Sequence, residues 1–246
     1  MQGHWGQRPQ GLKSFELKSL DLNLLTLKEV FKIKIRLLFS KFGSLRFIGH
    51  LDFLRVFQQT IRRAGLPMAF SQGFNPHLLI SFALPLPLGM VSVNDYADIT
   101  LETEIPCAEI VEKLNAVAPD GLLIKRAYLA ENKAASVVAV ADYALQVREG
   151  ALEEISHAIG EIVRAETIVI PKKTKKGVKD TDIRPDILGI HIDDAGIVVM
   201  RLSAGSARFL HPMLVAELIT KATPSAADIT RLELYYPNEA EELLPL

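Results

Sequence analysis

Hydrophobic and polar residues alternate from Lys32 onward: Ile33, Ile35, Leu37 and Phe39 fall on one side, Lys34, Arg36 and Ser40 on the other. A period of two predicts a β-strand with one face in the core and one in water. Beyond Gly43 the period lengthens to that of a helix, predicted over 49–64. Leu51, Leu54, Phe57 and Ile61 form its expected buried stripe, and Asp52, Arg55, Gln59 and Arg62 its polar face. Gly65 suits a left-handed helix end, and Pro67 prevents the helix from resuming. Extended segments are predicted at 68–74 and 79–84. The turn Pro85-Leu-Pro-Leu-Gly89 leads into a strand at 95–102, Pro106 opens a helix to Ala116, and 122–129 reads as a closing strand.

The order strand, helix, strands, helix, strand then recurs. Strands are predicted at 143–148, 167–171, 187–193, 196–202 and 229–236, and helices at 152–164 and 212–222. The expected fold class is therefore α+β, with two tandem ferredoxin-like (βαββαβ-type) units and antiparallel sheets. Residues 1–31 read as an N-terminal extension in which 20–30 suit a short helix. The first unit spans 32–131 and the second 140–246, joined through a stretch of small residues.

Composition narrows the classes of function. The 246 residues are 49% hydrophobic and 23% charged, ordinary values for a folded soluble chain. No apolar run reaches the roughly 18–20 residues needed to span a bilayer. Lys13, Glu16, Lys18 and Asp21 interrupt any secretory leader, so a cytoplasmic protein is expected. Cys107 is the only cysteine, which excludes a disulfide, a zinc knuckle and an iron–sulfur cradle built from this chain alone. Six scattered histidines give poor support to a metal centre, and no phosphate-binding loop, dinucleotide fingerprint or nucleophile elbow is present. No cofactor and no metal are expected.

Net charge is only −1, but residues 32–79 carry eight basic side chains against the single acid Asp52, a local +7. Lys172, Lys173, Lys175, Lys176 and Lys179 form a second basic cluster. Such asymmetry suits a polyanion-facing surface.

The most distinctive sequence runs Phe39-Ser-Lys-Phe-Gly-Ser-Leu-Arg-Phe-Ile-Gly-His-Leu-Asp-Phe-Leu-Arg55. It continues through Arg62-Arg-Ala-Gly-Leu-Pro67, Phe70-Ser-Gln-Gly-Phe-Asn-Pro-His77, Ser81-Phe82 and Pro85-Leu-Pro-Leu-Gly89. In these motifs, and in Asp182-Ile-Arg-Pro185 and Leu202-Ser-Ala-Gly205, the chain resembles the radical SAM-linked (radical SAM-associated) family, a domain of unknown function. The resemblance implies a partner, a radical SAM protein of the cobalamin-binding type, and supplies no reaction. Leu78 and Leu79 stand where that family commonly carries Pro-Lys, which removes one positive charge.

Candidate nucleic-acid or partner-binding residues are Lys41, Arg46, His50, Arg55, Arg62, Gln72, Phe74, Asn75, His77 and Arg184. Arg55 and Arg62, seven residues apart, share one helical face and can follow one phosphate track. His50 at a helix start suits a phosphate, or simply caps and packs. The turn at 71–77 can stack a base on Phe74 while Gln72, Asn75 and His77 offer hydrogen bonds; it can equally be a turn with Phe74 packed inside. The Lys172 to Lys179 run reads as a mobile basic hairpin tip or loop, either a nucleic-acid clamp or simply solvated, and Arg184 is either a contact or a structural ion pair. The leading expectation is a non-catalytic accessory protein that binds tRNA or rRNA, or presents substrate. The alternatives are a metal-independent endoribonuclease using His50 or His77, resembling CRISPR repeat-processing enzymes in architecture, and a pure protein–protein scaffold.

Overall fold

The computed structural model describes residues 32–130, 135–147, 152–174, 177–222, 224–237 and 242–246. The short helix expected at 20–30 and residues 132–134 of the predicted junction between the halves lie outside them. The chain forms a mixed α/β structure with one large, mostly antiparallel sheet and, among the described residues, four α-helices. In the first half these are β1 (Ile33–Lys41), α1 (His50–Arg63), β2 (Ile80–Phe82), β3 (Val91–Leu101), α2 (Cys107–Asn115) and β4 (Leu122–Leu129). The second half contains β5 (Val140–Leu145), α3 (Leu152–Arg164), β6 (Val169–Thr174), β7 (Gly177–Asp182) and β8 (Ile187–Ile192). It ends with β9 (Val198–Ser203), α4 (Pro212–Thr220), β10 (Ile229–Pro237) and β11 (Leu243–Pro245).

Strand order is β4-β1-β3-β10-β5-β9-β8, with β2 also on β3 and β11 on β10; β6 and β7 form a separate two-stranded ribbon. The first half alone runs β4-β1-β3-β2 and the second β10-β5-β9-β8, every pairing within a half being antiparallel. The halves join where β10 runs parallel to β3, in register only at Thr230↔Val91 and Arg231↔Ser92. A physical reason lies in the Pro85-Leu-Pro-Leu-Gly89 turn. Proline cannot donate to a ladder, so β2 stops after pairing with 97–99 of β3 and leaves the start of β3 open to β10.

Both pairs of helices cover the same face. Ile35, Leu37 and Phe39 pack with Phe53, Phe57 and Ile61 of α1 and Ile110 and Leu114 of α2. Ala141, Tyr143 and Leu145 pack with Ile155, Ile159 and Ile162 of α3 and Val215, Ala216 and Ile219 of α4. Register partners point the same way, and Asp95, opposite Phe39, binds Arg231, opposite Tyr143, so the two helical layers lie side by side. The other face is polar. It carries the fork of Arg36 on Asp98 (2.8 and 3.2 Å), that of Arg201 on Asp142 (2.8 and 2.7 Å), and Glu233 accepting from Tyr96 and Asn94.

Several expectations are corrected. The solvated face of β1 keeps only Lys34 exposed, since Arg36 is buried by its pairing with Asp98 and Ser40 by its bond to the Val93 carbonyl (2.7 Å). The stripe of α1 is rotated: Phe53, Phe57, Thr60 and Ile61 are buried, and Leu51 is 68% exposed. Phe53 wins because its ring joins Phe39, Phe57 and Phe82 at centroid distances of 5.5–6.0 Å, whereas Leu51 projects from the first turn beyond that cluster. Thr60 tolerates burial by donating to the Val56 carbonyl (2.9 Å). The extended stretch expected at 68–74 provides only isolated bridges at Met68 and Phe70, and the segment expected at 79–84 contributes a three-residue strand. The lysine run, expected as a hairpin tip or loop, falls on the antiparallel pair β6–β7, with Lys172 and Lys173 on one strand and Lys179 on the other.

Candidate functional site

The register of β1 on β3 fixes where the motif block sits. Lys41, at the end of β1, faces Ser92, and Lys34 faces Thr100. The first turn of α1 therefore lies at one end of the sheet. Its last turn leads through Gly65 back to Ala69, whose N–H donates to the Thr100 carbonyl (2.8 Å) at the other. Fourteen helical residues separate these ends by about 20 Å. Lys41, Arg46, His50 and Arg55 belong to the first end, and Arg62 and the 71–77 turn with Gln72, Phe74, Asn75 and His77 to the second. His50 and His77 are not brought together.

At the first end, charge is buried. Lys41 is 2% exposed, so its ammonium is not part of the surface. It donates to the Ile48 carbonyl (3.3 Å) and lies 4.7 Å above the Phe53 ring. Asp95 accepts from Ser92 Oγ (2.8 Å) and from the fully buried Arg231, which also donates to the carbonyls of Leu84 (2.9 Å) and Pro85 (3.4 Å). Lys41, His50 and Asp95 share a cavity of about 10 Å³, closed by Phe82 and the 84–86 segment. His50 sits edge-on to Phe82 at 5.5 Å and is half-buried. On the surface above, Phe47, Leu51 and Leu88 are exposed at 65%, 68% and 62%. Arg46 spreads over the Phe47 ring at 4.9 Å, and Arg55 pairs with Asp52 at 2.8 Å.

Burial pushes the Lys41 ammonium below its usual pKa, the Asp95 carboxylate offsetting this only partly. A lowered folded-state pKa means the unfolded chain holds the proton longer. The desolvation cost is then fully present below the folded pKa and relieved as pH rises toward 10.5. Lys41→Met is expected to stabilise the protein by about 1 kcal/mol at pH 7, with that advantage shrinking as pH approaches 10. Urea unfolding at pH 7, 8.5 and 10 measures this; a loss of stability at pH 7 would show that the ammonium contributes net binding energy where it lies.

The second end is open. Residues 72–77 are all exposed, and Phe74 projects completely into solvent. Ser71 closes the turn: its N–H donates to the His77 carbonyl (2.9 Å), its Oγ accepts from the His77 N–H (3.1 Å) and meets His77 Nδ1 at 2.8 Å. Gly73, at φ 124°, supplies a backbone conformation that other residues rarely adopt. Phe74 thus takes neither a core position nor a packing partner, while Arg62 and Arg63 form the last turn of the helix at the same end.

Arg184 is far from both ends. Its guanidinium donates to the carbonyls of Ala165 (3.1 Å), Val163 (3.1 Å) and Ile187 (3.0 Å), closing the C-terminal end of α3. Asp182 accepts from the N–H groups of Ile168 (2.8 Å) and Arg184 (3.0 Å). Asp182-Ile-Arg-Pro185 is thereby a clasp that ties the β6–β7 ribbon to the helix. Asp95 and Arg231 escaped sequence reasoning, since a single acid within a strand and an arginine 136 residues away carry no shared signal.

Among the described residues no three His, Cys, Asp or Glu side chains are grouped to hold a metal ion, and no helix is long and apolar enough to cross a membrane. No curated protein sequence matches the chain. A family model does, over residues 34–212, well over half of the chain and inclusive of both ends of α1 and the Asp182–Arg184 clasp. The chain belongs to the bacterial family described as "uncharacterized protein conserved in bacteria (DUF2344)".

Proposed function

We propose that this protein is a non-catalytic accessory protein that binds tRNA or rRNA and presents it to a radical SAM enzyme of the cobalamin-binding type, in the cytoplasm. In this reading the two halves are tandem ferredoxin-like units. Strand order supports that: first strand beside third, fourth outside the first and second outside the third, in each half. The radical SAM partner rests on the motif resemblance of residues 39–89.

One observation carries the RNA reading. A fully exposed Phe74 stands on a turn held rigid by Ser71 and His77, beside the Arg62–Arg63 end of a helix. Exposing an aromatic ring to water without a partner is unfavourable, and an unstacked base is a fitting one. The amides of Gln72 and Asn75 add hydrogen bonds on the same turn. Titrating tRNA and rRNA fragments against the protein across a salt series tests this. Affinity should fall as salt rises, and Phe74→Ala should weaken it by about tenfold to a hundredfold, the value of one stacked base.

The exposed Phe47, Leu51 and Leu88 favour a second reading, in which the opposite end of α1 docks on a protein. If that were the sole role, RNA affinity would be absent at every salt concentration. An endoribonuclease would have to use His50 or His77 singly, because they lie at opposite ends of the helix; His50 is half-buried against Phe82.

A further inference from the structure

The second helical layer is not closed at one end. Where the start of α3, the end of α4 and the residues after β5 meet, they surround a cavity of about 920 Å³. Clefts of about 300–1,000 Å³ take small organic ligands. The space of about 10 Å³ beside Lys41, by contrast, has room for a single water. The frame of the larger cavity is fixed by the backbone. The Gln146 N–H donates to the Asp228 carbonyl (2.8 Å), which ties the end of β5 to the turn before β10. Lys221 ends α4 in a left-handed conformation, φ 52°, and the chain returns through Ser225 to Asp228.

The lining is amphipathic. Ile155 and Ile219 carry the second core to the floor, and Val147 is half-buried in the wall. Around this apolar base stand three carboxylates, Glu153, Glu154 and Asp228, against one ammonium, Lys221, which leaves −2 with His157 neutral. The basic groups are also drawn aside: Lys221 Nζ and His157 Nδ1 lie 3.9 and 3.8 Å from the Glu161 carboxylate, one turn further along α3. Among the described residues Glu153 and Glu154 form no ion pair.

Acids in the first turn of a helix are ordinary, because its N-terminus carries roughly half a positive charge. Two carboxylates exceed that demand, and Asp228 comes from a different element. The C-terminal end of α4 brings roughly half a negative charge to the same cavity. Among the described residues no three acids or histidines are grouped to hold a metal ion, so the charge to be met is spread over something larger.

We propose that this cavity binds an organic cation, an amine carried on an apolar body. Glu153, Glu154 and Asp228 receive the ammonium, and Val147 and Ile219 the apolar part. None of these residues belongs to the Phe74 turn or to either end of α1, so the cavity and the nucleic-acid reading stand or fall separately.

The full chain is titrated with three fluorescent probes that share one apolar body: dansylcadaverine, a primary amine; dansylamide, which is neutral; and dansylglycine, a carboxylate. Saturable binding of the amine is expected, at least about tenfold tighter than that of the neutral probe and weakening as salt rises. The Glu153→Gln/Glu154→Gln/Asp228→Asn variant, checked for its fold by circular dichroism, should lose about tenfold for the amine, the combined value of three partly exposed ion pairs. Its affinity for dansylamide should not change. Equal affinity of the wild-type chain for all three probes overturns the proposal, because the cavity would then select by greasiness alone; this comparison needs no variant. Absent binding of the amine overturns it too, as does an unaltered amine affinity in the folded triple variant. Titration of tRNA against that variant should match the wild-type chain, which keeps failure here distinct from failure of the nucleic-acid reading.

Discussion

Asp95→Ala is expected to lower the unfolding free energy by about 3–5 kcal/mol, the cost of leaving a buried charge without its partner. Arg231 is wholly buried and spends one Nη on Asp95 and the carbonyl of Leu84, so removal of the carboxylate strands a guanidinium that water cannot reach. The pair also spans the junction between the halves, since Asp95 belongs to β3 and Arg231 to β10. Two-state urea unfolding measures the loss. The double variant Asp95→Leu/Arg231→Met should recover most of it, because an apolar pair of similar volume avoids desolvation altogether. A single-variant loss below about 1 kcal/mol would mean that the neighbouring carbonyls of Leu84 and Pro85 satisfy Arg231 unaided.

Gly121→Ala should be nearly as damaging, at about 3 kcal/mol. Gly121 has φ 96°, and a Cβ there would stand 2.4 Å from the Phe42 carbonyl oxygen, a backbone atom that cannot swing aside. The same two residues are bonded through Phe42 N–H and the Gly121 carbonyl at 2.9 Å, so neither segment can withdraw without loosening the other. Backbone strain of this type costs about 1–3 kcal/mol before the collision is counted. Gly65→Ala is the control. It also has a positive φ, 66°, but nothing within 4 Å of the added methyl, and should cost only about 1–2 kcal/mol. Thermal unfolding of both variants checks the contrast; equal losses would show that φ alone decides.

These two sites mark the boundary of what a linear sequence reveals. Periodicity located β1, α1, α3 and β4 to within a residue or two, because each is long and its apolar spacing is regular. It misplaced the buried stripe of α1, where Leu51 and Phe53 both fit a 3.6-residue period and only the aromatic neighbours Phe39 and Phe82 decide between them. It also took Arg36 and Ser40 for solvated residues, since the Asp98 that buries Arg36 arrives 62 residues later. The same limitation governs the site. The turn at 71–77 could be recognised from Gly73 and Pro76, and the exposure of Phe74 could not. Lys41 counted toward a basic surface until β1 carried it inside. The role of Asp182 and Arg184 was invisible because their partners are backbone groups, which every residue possesses.

The short parallel seam between β3 and β10 has a consequence for how the chain is made. Val91 leaves the ribosome well before its partner Thr230, and at roughly 5–20 residues per second the interval is on the order of ten seconds. The first half can complete its own pairings in that time, yet the opening of β3 must wait as an unpaired edge, the kind of edge that recruits strands from other chains. The segment guarding it in the interim is Pro85-Leu-Pro-Leu-Gly89, which offers few donors to a foreign strand. The turn that makes room for the second half during assembly is thus also placed to discourage anything else from taking that position first.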